Sequence, residues 1–144
     1  MSQTRRCVLI VDDEVSVLSY YSIVLRGAGY EVIEAKDGAL ASRLALRVPP
    51  DLVLFDLQYP KASRENTVQG FRERFPDTAI LVTSGFDRAS ALERGLIPDD
   101  VPLLQKPFSP AILRKLVAEM LEQVPVQKRG PHLNLPDQPT QAMN

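Results

Sequence analysis

Short apolar runs and helical stripes alternate along this chain. Three runs are continuous and rich in branched residues: CVLIV at 7–11, DLVLF at 51–55 and AILV at 79–82. Each is too short for a helix and ends in polar residues, the pattern of strands buried on both faces of a parallel sheet. EVIEA at 31–35 is less apolar and VPLL at 101–104 carries a proline, so both suit sheet edges.

Between these runs the apolar period lengthens to that of a helix. Val17, Leu18, Tyr21, Val24 and Leu25 form one stripe, with Gly27 and Gly29 as stop signals. Leu40, Ala41, Leu44 and Ala45 form a second, behind a cap candidate at Asp37. In the last, Ser109 is a cap candidate and Pro110 suits the first helical position. Ile112, Leu113, Leu116, Val117, Met120 and Leu121 then recur at helical spacing. Weaker patterns over Gln69–Phe75 and Arg88–Arg94 predict two more helices. The order is β-α repeated five times, which predicts an α/β fold: a parallel, doubly wound sheet with helices on both faces. Ligands bind such sheets at the carboxyl ends of the strands, where the strand order reverses.

Composition narrows the possibilities. The chain has 144 residues, one domain's worth, and its 44% hydrophobic content is ordinary for a globular protein. The folded unit is expected over 5–123. Residues 124–144, VPVQKRGPHLNLPDQPTQAMN, lack any period and read as a disordered or loosely docked tail. With 17 basic and 18 acidic residues the net charge is −1, which gives no general attraction to nucleic acid or an anionic membrane. One cysteine, Cys7, and one histidine, His132, exclude an intrachain disulfide and a Cys/His zinc site. No run is apolar enough to span a bilayer, and the polar start Met1–Arg6 does not read as a signal peptide, so a cytoplasmic protein is expected. Cys7 and at least one of Tyr20 and Tyr21 are expected in the core, and His132 in solvent.

The strand ends carry the chemistry. The first ends in Asp12-Asp13-Glu14, the third in Asp56, the fourth in Thr83-Ser84 and the fifth in Lys106-Pro107-Phe108. In the order 2-1-3-4-5 the first and third strands are neighbours, and three carboxylates converge. Like charges this close raise one another's pKa and call for a compensating cation. Magnesium, a hard ion bound by few carboxylates plus waters, fits best. Lys106 adds positive charge and Thr83 a hydroxyl. A carboxylate placed so can attack phosphorus to give an acyl phosphate, with metal and lysine stabilising the transferred oxygens. Asp56 is the best nucleophile candidate. Each residue alone has a blander reading: Asp12 or Asp13 as a helix cap, Asp56 or Thr83 in a turn, Lys106 as an exposed lysine. Their joint placement at four strand ends favours the chemical one.

The motifs VLIVDDE (8–14), DLVLFDLQYP (51–60), ILVTSGF (80–86) and LLQKPF (103–108), in this order, resemble the response-regulator receiver domain of two-component signal transduction, over about residues 5–123. The resemblance implies the flavodoxin-like order 2-1-3-4-5. It implies Asp56 as phosphoacceptor, Asp13 as direct metal ligand with Asp12 as acidic partner, and the Gln58 backbone carbonyl completing a magnesium site. Thr83 matches the switch hydroxyl and Lys106 the family's lysine, whose bond to Pro107 is typically cis. The implied phosphodonor is a sensor histidine kinase or histidine phosphotransfer protein, and the aspartyl phosphate hydrolyses itself, with no turnover of an external substrate. The implied partner or dimer face is made by the fourth helix, fifth strand and fifth helix, with Leu92, Arg94, Leu103 and part of 109–121.

Two departures stand out. After Pro60 the stretch KASRENTVQGF lacks the usual Asp-Gly pair, and Thr83 follows Asp56 by only 27 positions, so a short, late or distorted third helix is expected. The position three before Lys106, often aromatic in the family, is Leu103. Nothing after Gln123 reads as an output domain, which suggests a stand-alone receiver or one cut from a larger regulator or hybrid kinase. The competing reading is an unphosphorylated receiver-like scaffold. A haloacid-dehalogenase-type phosphatase would want a second Asp where Gln58 stands, and a dinucleotide enzyme or flavodoxin a glycine- or hydroxyl-rich loop after the first strand.

Overall fold

The computed structural model describes residues 5–57 and 66–125. Gln58, residues 61–65 of the altered stretch after Pro60, and the segment with Lys128, Arg129 and His132 lie outside the described residues. Strands and helices alternate as β1 (Cys7–Val11), α1 (Val15–Gly27), β2 (Glu31–Ala35), α2 (Gly38–Arg47), β3 (Leu52–Asp56), α3 (Val68–Arg74), β4 (Ala79–Ser84), α4 (Arg88–Glu93), β5 (Leu103–Gln105) and α5 (Pro110–Glu122). All strand pairs are parallel and the sheet order is β2-β1-β3-β4-β5.

The order dictates which helix covers which face. Right-handed crossovers put α1 on one face as the chain steps from β1 to β2. The chain then reverses direction across the sheet, so α2, α3 and α4 cover the other face, and α5 returns to the first. Two buried clusters follow. Val8, Ile10, Leu52, Leu54 and Leu81 pack against Leu18, Tyr21 and Leu25 of α1 and Leu113, Val117 and Leu121 of α5. Leu9, Val11, Val53, Phe55 and Val82 pack against Ala41 and Leu44 of α2, Phe71 of α3 and Ala91 of α4. Cys7 is buried, and of the tyrosine pair Tyr21 is core while Tyr20 is 44% exposed.

Element bounds differ from the sequence expectation where polar groups intervene. Asp51 does not open β3; its buried carboxylate accepts a hydrogen bond from the Cys7 amide (2.7 Å) and faces Arg6 at 3.6 Å, pinning β1 to the chain entering β3. β4 runs two residues past its apolar stretch, because Thr83 continues the ladder opposite Asp56. β5 starts at Leu103 rather than Val101. Pro102 has no amide to donate, though its carbonyl accepts from Val82 at 3.0 Å. α3 spans 7 residues and starts at Val68, since Thr67 caps it by accepting from the Gly70 amide at 3.0 Å. Asp37 and Ser109 cap α2 and α5 as expected, accepting from Leu40 and Ile112.

Candidate functional site

Parallel register delivers the polar residues to one edge of the sheet. Val11 of β1 pairs with Phe55 of β3, so Asp12 and Asp56, the next residue of each, emerge side by side. Asp56 pairs with Thr83, and the Lys106 amide donates to the Ser84 carbonyl at 2.7 Å as the chain leaves β5. Asp12, Asp13 and Asp56 each offer a carboxylate oxygen within 4.8 Å of the others. Lys106 Nζ stands 2.7 Å from Asp56 Oδ1 and 3.8 Å from Asp12 Oδ2. Thr83 Oγ1 donates to Asp56 Oδ1 at 3.1 Å. The Lys106–Pro107 bond is cis. Asp12 is 2% exposed, Asp56 9% and Thr83 fully buried, whereas Asp13 lies in the open mouth of the crevice.

The capping alternative for the acid pair does not hold. The N-cap of α1 is Glu14, which makes no side-chain cap bond. Asp12 Oδ1 instead accepts from the Glu14 amide at 2.9 Å, which fixes the loop between β1 and α1. Its other oxygen, Oδ2, is buried without a hydrogen-bond partner. Burial pushes the Asp12 carboxyl up to about 6; the Glu14 amide resists that shift and the Asp56 charge adds to it. Lys106 is pulled down by burial, but the hydrogen bond and charge of Asp56, with Asp12 and Glu14, outweigh it and leave its pKa raised. Three acids thus face one lysine, with an orphaned buried oxygen among them. That donor set fits a hard divalent cation: oxygen ligands, surplus negative charge and an open side for water.

One neighbour of the site was read from the sequence only as core. Tyr21 of α1 reaches up to the crevice: its ring stacks on Phe108 with centroids 5.6 Å apart and planes 24° from parallel. Burial, with the Asp12 and Asp56 charges, raises the pKa of its hydroxyl. The available signal was a tyrosine within an apolar stripe, whose buried hydroxyl needs a partner.

A doubly wound sheet with an acidic, lysine-bearing crevice at the end of its first and third strands defines a receiver-type α/β domain. The family model of the response regulator receiver domain matches residues 8–118, and the chain belongs to that family. It is 33% identical over 119 residues to the DNA-binding dual master transcriptional regulator RpaA of Synechocystis sp., covering 81% of this chain and 46% of that protein. It is 33% identical over 118 residues to the alkaline phosphatase synthesis transcriptional regulatory protein PhoP of Bacillus subtilis, covering 79% and 48%. The chain spans about half the length of the curated relatives it matches. Among solved structures, chemotaxis protein CheY4 of Vibrio cholerae superposes with a TM-score of 0.70 at 29% identity, over 81% of this chain and 99% of that one. A response regulator of Thermotoga maritima superposes with a TM-score of 0.71 at 25% identity, over 83% and 99%. Among the described residues no helix is long and apolar enough to cross a membrane.

Proposed function

We propose that this chain is a magnesium-dependent phosphoacceptor switch, with Asp56 as the residue phosphorylated. The observation that carries the reading is the meeting of Lys106 and Thr83 on one oxygen of Asp56, beside the buried Asp12 carboxylate. An Asp56 oxygen forms a bond to phosphorus as the bond from phosphorus to the donor's imidazole nitrogen breaks, and the imidazole nitrogen takes up a proton. Asp12, Asp13 and Asp56 would hold the cation, which neutralises charge on the phosphoryl oxygens when bound. Lys106 keeps a fixed positive charge where the phosphoryl group arrives, and Thr83 keeps a hydroxyl donor there.

The donor in this reading is a phosphohistidine on a sensor histidine kinase or histidine phosphotransfer protein, in the cytoplasm. The chain turns over no external substrate and loses its own phosphoryl group to water. Residues 5–123 act as the folded unit, a reading supported by Arg6, which donates to the carbonyls of Leu121 at 2.8 Å and Val124 at 2.5 Å and so ties the two ends of the domain. The output or dimer face is that of α4, β5 and α5, where Leu92 and Ile112 are exposed.

The test is intact-mass analysis after incubation with acetyl phosphate and Mg²⁺. The wild type gains one phosphoryl group; the gain is absent without metal and absent in Asp56→Asn. A wild type that binds Mg²⁺ and gains nothing overturns the proposal.

A further inference from the structure

We propose that Tyr21 is a positioning residue: its ring, stacked on Phe108, fixes the chain leaving β5 so that Lys106 is held on Asp56. The proposal deepens the phosphoacceptor reading of Asp56 and rests on it. Three observations combine. β5 spans 3 residues at the edge of the sheet and is anchored there on one side, through β4. The Tyr21 and Phe108 rings stack with centroids 5.6 Å apart and planes 24° from parallel; Tyr21 is 5% exposed, and Phe108 packs against the cluster formed by α1 and α5. Finally, α1 is the helix that opens straight after the acid pair. Its N-cap amide, that of Glu14, donates to Asp12 Oδ1 at 2.9 Å, while Lys106 Nζ lies 2.7 Å from Asp56 and 3.8 Å from Asp12 Oδ2. One helix therefore fixes the acid loop at its start and, through Tyr21, the loop that delivers the lysine.

The lysine ammonium sits on a flexible four-carbon stem. It stays on one carboxylate only where its backbone is fixed, and a small displacement of a charge that meets the transferred group costs rate. On one side of Lys106 its amide donates to the Ser84 carbonyl at 2.7 Å. On the other, two residues along, stands Phe108 on the Tyr21 ring. Leu18 and Leu25 fill the same inward stripe of α1 with aliphatic bulk. A flat ring at position 21 adds a stacking face, which holds an aromatic partner more tightly than equal apolar area would.

Tyr21→Phe keeps the stack, whereas Tyr21→Leu and Phe108→Leu remove it and keep apolar bulk. Intact mass follows phosphorylation by acetyl phosphate, in which an Asp56 oxygen bonds to phosphorus as the bond from phosphorus to the acetate oxygen breaks. Each leucine variant is expected to slow this about twofold to tenfold, the size of an aromatic pair, and the double variant no more than the slower single. Tyr21→Phe should run at the wild-type rate. A second readout needs neither donor nor metal. With isotope-labelled lysine, the ε-methylene resonance of Lys106, assigned by its loss in Lys106→Arg, should move toward those of the exposed Lys36 and Lys115 in both leucine variants and stay in place in Tyr21→Phe. Leu25→Val thins the same cluster away from the stack; it should lower the urea midpoint and leave both the rate and the Lys106 resonance unchanged. The inference is overturned by a Lys106 resonance or a rate that Tyr21→Leu does not change, by Tyr21→Phe or Leu25→Val acting as strongly as Tyr21→Leu, or by additive effects of the two leucine variants. A wild type that gains no phosphoryl group overturns the phosphoacceptor reading instead, while the resonances still decide whether the stack holds Lys106.

Discussion

The helices that flank the crevice on its two faces, α1 with α5 on one and α4 on the other, are held in different ways. On one face α1 and α5 have 13 residues each and are set by buried side chains, Leu18, Tyr21 and Leu25 from one and Leu113, Val117 and Leu121 from the other. On the other face α4 has 6 residues and buries Ala91. Beside Ala91 and the buried Ile97 and Val101, polar ties hold it and the chain beyond it. Arg88 donates to the carbonyl of Val101 at 2.6 Å and to that of Asp99. Arg72 of α3 forks onto the Asp100 carboxylate at 2.7 and 2.5 Å, and the Arg94 guanidinium lies 4.9 Å from the Phe86 ring centroid. Apolar burial is not screened by a salt such as sodium chloride, whereas exposed charge pairs are. The same site therefore sits between a firm wall and one that yields first.

The largest effect that would break this contrast lies in the firm wall. Leu113→Ala, at a fully buried position of α5, should cost about 2–5 kcal/mol in urea unfolding, the same at low and high salt. A loss well below that range would mean that α5 is not the support described here.

A smaller effect lies in the crevice itself. The Asp12 carboxyl is raised to about 6 in the folded chain, so the fold favours its protonated form. The sign follows: its contribution to stability is present below the ordinary carboxylate pKa and is lost as pH rises through 6. Thermal melting of the metal-free protein should decline over that window, and less so in Asp12→Asn. Mg²⁺ should restore stability above that window and do little below it, because binding requires the ionised carboxylate. A Mg²⁺ effect that grows as pH falls would contradict the assignment.

The smallest effect belongs to the yielding wall. Arg88→Ala should leave the melting temperature almost unchanged but speed amide exchange through α4 and the chain leading into β5. Arg72→Ala should act likewise, and its effect should fade at high salt. Faster exchange in α1 or α5 instead would erase the distinction between the layers.

Much of this was legible in the sequence, for a physical reason. In a parallel doubly wound sheet the strands end together, so residues at the ends of β1, β3, β4 and β5 must share one edge, and Asp12, Asp56, Thr83 and Lys106 group from the sequence. Helix starts were legible where a cap marks them, at Asp37 and Ser109. What was not legible depends on depth and on backbone polar groups. A helical stripe shows which face of α1 turns inward, but not that Tyr21 reaches far enough to stack on Phe108. An apolar run shows that β5 exists, but not that Pro102 delays its ladder to Leu103. Gln58 lies outside the described residues, so its carbonyl stays an expectation from the family pattern.

The central claim is that Asp56 itself receives the phosphoryl group. Borohydride reduces an aspartyl phosphate to homoserine, so trapping followed by peptide sequencing reads the acceptor directly. After acetyl phosphate and Mg²⁺, homoserine is expected at position 56 in the wild type and nowhere in Asp56→Asn. Homoserine at position 12 or 13, or none at all in protein that binds Mg²⁺, would contradict the account.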